Sequence, residues 1–148
     1  MGGRGGNGTV RGDVYADDPW VSIRWDREHG FVYSDWKGFC NSAELRAGMM
    51  KIIDAIRDHH SPSLVSDNRR LELVTNEDQL WIRDSWTPLA VAIGLKRIAV
   101  VLAQRGLGKI ASEAVLSQIG KTAFVTRTFG TTSEAIQWVV GEQAKSKS

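Results

Sequence analysis

The stretch that most constrains this fold is Arg97–Ala103, which reads RIAVVLA. A half-exposed strand alternates apolar and polar residues, whereas a strand covered on both faces reads as an unbroken apolar run. Helical patterns flank it. Before it, Glu77–Ile93 carries Trp81 and Trp86 and stops at Gly94. After it, the Gln104–Gly108 loop leads into Lys109–Ile119, with Ile110, Ala111, Ala114, Val115 and Gln118 at helical spacing. A strand buried between helices implies layers, and layers imply crossovers.

The rest of the chain follows that alternation. Trp20–Trp25 and Phe31–Trp36 flank Asp26–Gly30, a turn with glycine last, and predict a β-hairpin. Asn41 stands three residues before Glu44 in a capping-box arrangement. It opens a helix over Ser42–His60, with Leu45, Met49, Ile52, Ile53 and Ile56 on one stripe, and Pro62 ends it. Ser63–Ser66 is a short strand, and Leu71–Val74 is a small extra strand or a loop. Thr75 or Asn76 caps the next helix, where Pro88 forces a bend or a junction near Thr87. Thr122–Phe129 is the last strand. Thr131 and Glu134 then cap a helix carrying Ala135, Ile136, Val139 and Val140. The expected order is β-β-α-β-α-β-α-β-α: an α/β fold, a mainly parallel sheet with helices packed on it and an N-terminal β-hairpin.

A chain of 148 residues suits one domain, expected over residues 19–141. Residues 1–18 are expected to be a flexible glycine-rich tail, and 142–148 a polar tail that frays. The balance of 19 basic and 17 acidic residues, net +2, creates no single-sign field for nucleic acid. The single cysteine, Cys40, excludes an intrachain disulfide, so a reducing, cytoplasmic setting is expected. No apolar run reaches the roughly 18 residues of a transmembrane helix.

In an open α/β sheet, ligands meet the carboxyl ends of the strands. Trp36–Asn41, Ser66–Arg70, Gln104–Lys109 and Thr128–Thr132 are the segments that rule selects. Ser66-Asp67-Asn68-Arg69-Arg70 is the most polar. Asp67 and Asn68 suit a tight turn, and Arg69 and Arg70 are either anion-binding forks or surface arginines paired with nearby carboxylates. Gly106-Leu107-Gly108-Lys109 precedes a helix but lacks a P-loop's earlier glycine and the hydroxyl after the lysine. His29, His59 and His60 offer no third ligand at metal spacing, and no cofactor motif is present. Cys40, near a helix start, is either reactive or a small semi-buried residue. Trp36, with Trp81 or Trp86, is expected to line one crevice or an oligomer face. Nothing among these residues compels an enzyme.

The hairpin ending Tyr33-Ser34-Asp35-Trp36-Lys37-Gly38-Phe39, the Asp67-Asn68-Arg69-Arg70 stretch, the helix with Asp78-Gln79-Leu80-Trp81 and Trp86, and the strand Arg97–Leu102 together resemble the small bacterial SpoIIAA-like proteins. These are relatives of the STAS domain and carry the label STAS/SEC14-like. The resemblance covers about Trp20–Trp138. It implies a compact α/β module for protein–protein contact, a non-catalytic homodimer with a regulatory protein partner. Trp36, Asp67, Asn68, Arg69, Arg70, Trp81 and Trp86 are its candidate contact residues. Anti-sigma antagonists of this kind are switched by phosphorylation of a serine after the central strand, which points to Ser66. Here Ser66 precedes Asp67, and Arg69–Asn76 separates it from the next helix. The rival expectation is a small-molecule site, for an anionic or lipid-like metabolite, between the Trp36, Asp67 and Gly106 loops.

Overall fold

The computed structural model describes residues 13–120 and 123–147. Strands β1 (Val14–Asp17), β2 (Val21–Asp26), β3 (Phe31–Trp36), β4 (Ser63–Asp67), β5 (Arg97–Val101) and β6 (Val125–Phe129) form one six-stranded sheet in sequential order. The first three pair antiparallel and β3–β6 pair in parallel. This is the α/β fold expected from the buried RIAVV run, all of whose residues in β5 are buried.

Helices α1 (Ser42–His59), α2 (Asn76–Trp81), α3 (Thr87–Ala92) and α4 (Leu107–Ile119) follow β3, β4 and β5, and α5 (Thr132–Lys147) follows β6. The period-two alternation of the strands sorts their side chains into two cores. Ile23, Val32, Leu64, Ile98 and Val100 point to the layer built by α1, α2, α3 and α4. Phe31, Val65, Ala99 and Val101 point the other way and are covered by Ala135 and Val139 of α5.

The local signals behave as their chemistry requires. Asn41 Oδ1 accepts from the Glu44 amide at 2.8 Å while Glu44 Oε1 accepts from the Asn41 amide at 2.9 Å, closing the capping box of α1. Thr75 caps α2 through its hydroxyl. Gly30 closes the hairpin turn at φ +73°. The expected bend near Pro88 is a π-helical segment, Ile82–Trp86, between α2 and α3. Pro88 sits in the first turn of α3, where its missing N–H costs least.

Several expectations need correction. Residues 1–12 of the expected tail lie outside the described residues, but its remainder is not loose: β1 pairs with β2, and Tyr15 Oη donates to Asp58 Oδ2 at 2.8 Å. Tyr15 and Ala16 bury apolar surface that a glycine count overlooks. At the other end, α5 continues through Gly141 to Lys147 instead of fraying. Gln143 Nε2 donates to the His29 carbonyl at 3.0 Å and ties that last stretch to the hairpin turn. Leu71–Val74 is a loop.

Candidate functional site

The polar stretch that begins at the end of β4 is split by the strand's own geometry. Neighbouring residues face opposite sides, so Ser66 points to the helix-covered layer and Asp67 to the side of α5. Ser66 is 8% exposed. Its hydroxyl accepts from Ser34 Oγ at 3.2 Å and donates to Asn68 Oδ1 at 2.6 Å, and Asn68 Nδ2 donates to Ser112 Oγ at 3.1 Å. This chain of small polar groups crosses from β3 to α4. A phosphoryl group on Ser66 would have to displace it.

Ser66, Asn68 and Ser112 line one end of a cavity of about 70 Å³ whose other walls are apolar, among them Trp36, Leu64 and Trp86. The structure thus brings Trp36 and Trp86 together with Ser66 and Asn68. Trp36 lies over Gly48, where a Cβ would come within 2.8 Å of the indole. Trp86 is held by an Nε1 donation to the Met49 carbonyl at 2.8 Å. The cavity is far smaller than the roughly 300–1,000 Å³ of small-molecule sites and has room for only a few atoms.

Asp67, Arg69 and Arg70 lie away from that cavity. Arg69 grips Asp67 as a fork, Nε to Oδ1 at 2.9 Å and Nη2 to Oδ2 at 2.7 Å, and its backbone N–H adds a bond at 3.2 Å. Burial pushes the Asp67 carboxyl up, but these bonds outweigh it and hold the group below the usual carboxylate range. Tyr33 Oη also donates to Asp67, at 3.3 Å, and burial with the two nearby carboxylates pushes its phenol up to about 12. Arg70 donates to Asp35 Oδ2 at 2.7 Å. The arginines therefore spend their forks on the protein's own carboxylates, one of the two arrangements the sequence left open. Trp81 stands apart from the cavity under the guanidinium of Arg46, 5.2 Å from its ring centroid. Arg46 and Ser42 in turn bond the buried Asp78, tying the start of α1 to α2.

The glycine loop before α4 also has a structural cause. A Cβ at Gly108 would collide with the Leu71 carbonyl oxygen, so Gly108 is what lets α4 close on the Asn68–Leu71 turn. Cys40 is buried, and desolvation followed by the fields of Glu44 and Asp78 pushes its thiol up to about 11, away from reactive thiolate chemistry. No cluster of three His, Cys, Asp or Glu side chains suited to a metal occurs among the described residues.

The residues that sequence reasoning passed over are apolar. Phe39, Leu73, Leu107 and Ile110 are 61%, 51%, 72% and 64% exposed. Phe39 and Leu73 sit on loops and Leu107 and Ile110 in the first turn of α4, at the carboxyl end of the sheet. The Glu72 amide donates to the Gly38 carbonyl at 3.3 Å, and Gly108 abuts Leu71. Their signal in the sequence was Leu and Ile on either side of Gly108-Lys109, which reads equally well as helix core. No protein-family model matches the chain, and no curated protein matches it by sequence.

Proposed function

We propose that this chain is a non-catalytic, SpoIIAA/STAS-like interaction module that works as a homodimer through the carboxyl end of its sheet. One observation carries the reading: at that end four charged side chains pair with one another while apolar side chains turn outward. Asp67, Arg69, Asp35 and Arg70 are paired within the chain, whereas Phe39, Leu73, Leu107 and Ile110 meet solvent. Clustered exposed apolar residues with a polar surround mark association surfaces. The sequential parallel strands, with helices between them, agree with the module that the resemblance implies. The small cavity supports a ligand-storage reading less well, because its volume admits so little.

Sedimentation velocity over a concentration series tests this. The wild-type chain is expected to dimerise, and Leu107→Glu/Ile110→Glu to weaken the dimer at least about tenfold, roughly 1.4 kcal/mol. Val91→Glu, at an exposed position on α3, is expected to leave it unchanged. A monomeric wild type, or an undiminished dimer in the double variant, overturns the proposal. The same loops are then the first place to seek a regulatory protein partner.

A further inference from the structure

A second cavity, larger than the first, lies at the opposite end of the sheet. It measures about 400 Å³ and is framed by the hairpin turn, the end of α1, the start of β5 and the last turns of α5. Its wall includes Trp25 and His59, stacked with ring centroids 4.3 Å apart and planes 3° from parallel. Lys96, Arg97 and Gln143 also line it.

Arg97 is the unusual group. It is the first residue of β5, 8% exposed, inside the parallel sheet. Its side chain makes one hydrogen bond among the described residues, from Nη1 to Ser63 Oγ at 2.8 Å, and joins none of the ion pairs. A guanidinium has several more N–H donors and always carries its charge. Buried cations are normally matched by a carboxylate or by a bound anion. The nearby acids are otherwise engaged. Asp13 pairs with Arg27 at 2.9 Å, Asp26 and Glu28 face His29, and Glu142 bonds Lys145 at 2.8 Å. Lys145 chiefly, and Arg97 among weaker causes, hold the Glu142 carboxyl below its ordinary range. Lys96, next in the chain, adds a second positive charge with no ion-pair partner among the described residues.

A second polar group lies at the wall of the same cavity. Gln143 Oε1 is buried without a hydrogen-bond partner, while its Nε2 is fixed on the His29 carbonyl. The amide orientation is therefore set, and the orphaned atom is an acceptor. The carbonyls at the end of α1 oppose an anion here, but the amides of His60 and Ser61 already bond Ile56 and Arg57. The opposing field is thus partly quenched.

We propose that this cavity binds a small molecule bearing an oxyanion, a carboxylate or phosphate seated on Arg97 and Lys96. The stacked Trp25–His59 pair supplies a rigid flat wall for the rest of the ligand. This site stands independently of the dimerisation surface, which lies at the other end of the strands.

The test is thermal unfolding of the full chain in inorganic phosphate, in malonate, and in sodium chloride of matched ionic strength. Phosphate or malonate is expected to raise Tm by at least about 2 °C beyond chloride, and which of them does so names the oxyanion. Lys96→Gln, at an exposed side chain, is expected to lose at least half of that rise, and Arg97→Met all of it. Without anion, Arg97→Met is expected to unfold at the wild-type temperature or above, because a buried unmatched charge has been removed. An equal rise in chloride, no rise in either anion, or a full rise in Lys96→Gln overturns the proposal, and these readings hold even if Arg97→Met fails to fold.

Discussion

The two ends of the parallel sheet handle charge in opposite ways. At the carboxyl end, Asp67 and Asp35 stand within 2.7 Å of the arginines that follow them in the chain. At the amino end, Arg97 is more deeply buried than either of those arginines and has a serine hydroxyl where a carboxylate would be expected. Two arginines at the carboxyl end are each paired with a carboxylate, whereas Arg97 at the amino end joins no ion pair among the described residues. Density of polar residues therefore does not tell which charges lack a partner. What counts is whether each buried charge already has its partner.

The comparison can be broken by substitution. The largest effect is expected at Gly108→Ala, where the added methyl meets the Leu71 carbonyl and the loops of the carboxyl end must shift. A loss of about 1–3 kcal/mol in urea unfolding is the overpacking range. A neutral outcome would mean that those loops are not locked together. Asp67→Asn comes next, at about 1–2 kcal/mol, discounted because the Arg69 side chain is 44% exposed.

Its pH dependence has a definite sign. The folded-state carboxyl of Asp67 is held below its ordinary value, so its stabilising contribution is complete above about pH 4. It is lost as pH falls below that, through the lowered folded value. Wild type and Asp67→Asn are thus expected to converge in stability on acidification. A gap that persists in acid would show that the pair's charge is not what matters. Asp78, also held low by Ser42 and Arg46 against the effect of burial, contributes an acid loss common to both proteins.

Smallest is Arg70→Ala. Its side chain is 61% exposed and its partnership with Asp35 is worth at most about 0.5 kcal/mol. A larger loss would mean that the Asp35 carboxylate depends on Arg70, consistent with its Oδ1 being buried and otherwise unpartnered. Set beside these, a neutral Arg97→Met at the amino end would sharpen the contrast.

Much of this architecture was legible in residue order. Asn41 and Glu44, Thr75, Gly30 and the Leu45–Ile56 stripe act through neighbours a few positions away, so short-range pattern locates them. The ends of the described region were less legible. β1 and the last turns of α5 are held by Asp58 and His29, partners 43 and 114 residues away from Tyr15 and Gln143. The candidate site was half legible. Trp36, Trp86, Ser66 and Asn68 do share a cavity, but Asp67 faces the other side of the strand and Arg69 and Arg70 are drawn to Asp67 and Asp35.

By itself, the sequence determined the α/β class, the strand and helix order from the first hairpin onward, and the helix caps. Each is written in periodicity and in groups that satisfy one another locally. Only the tertiary structure decided which charges are matched. Arg69 and Asp67 are two residues apart, yet Arg97 lies 34 from the Ser63 hydroxyl it bonds. Whether a buried cation finds a carboxylate depends on what the packed sheet and helices bring within a few ångströms, which a linear pattern does not encode.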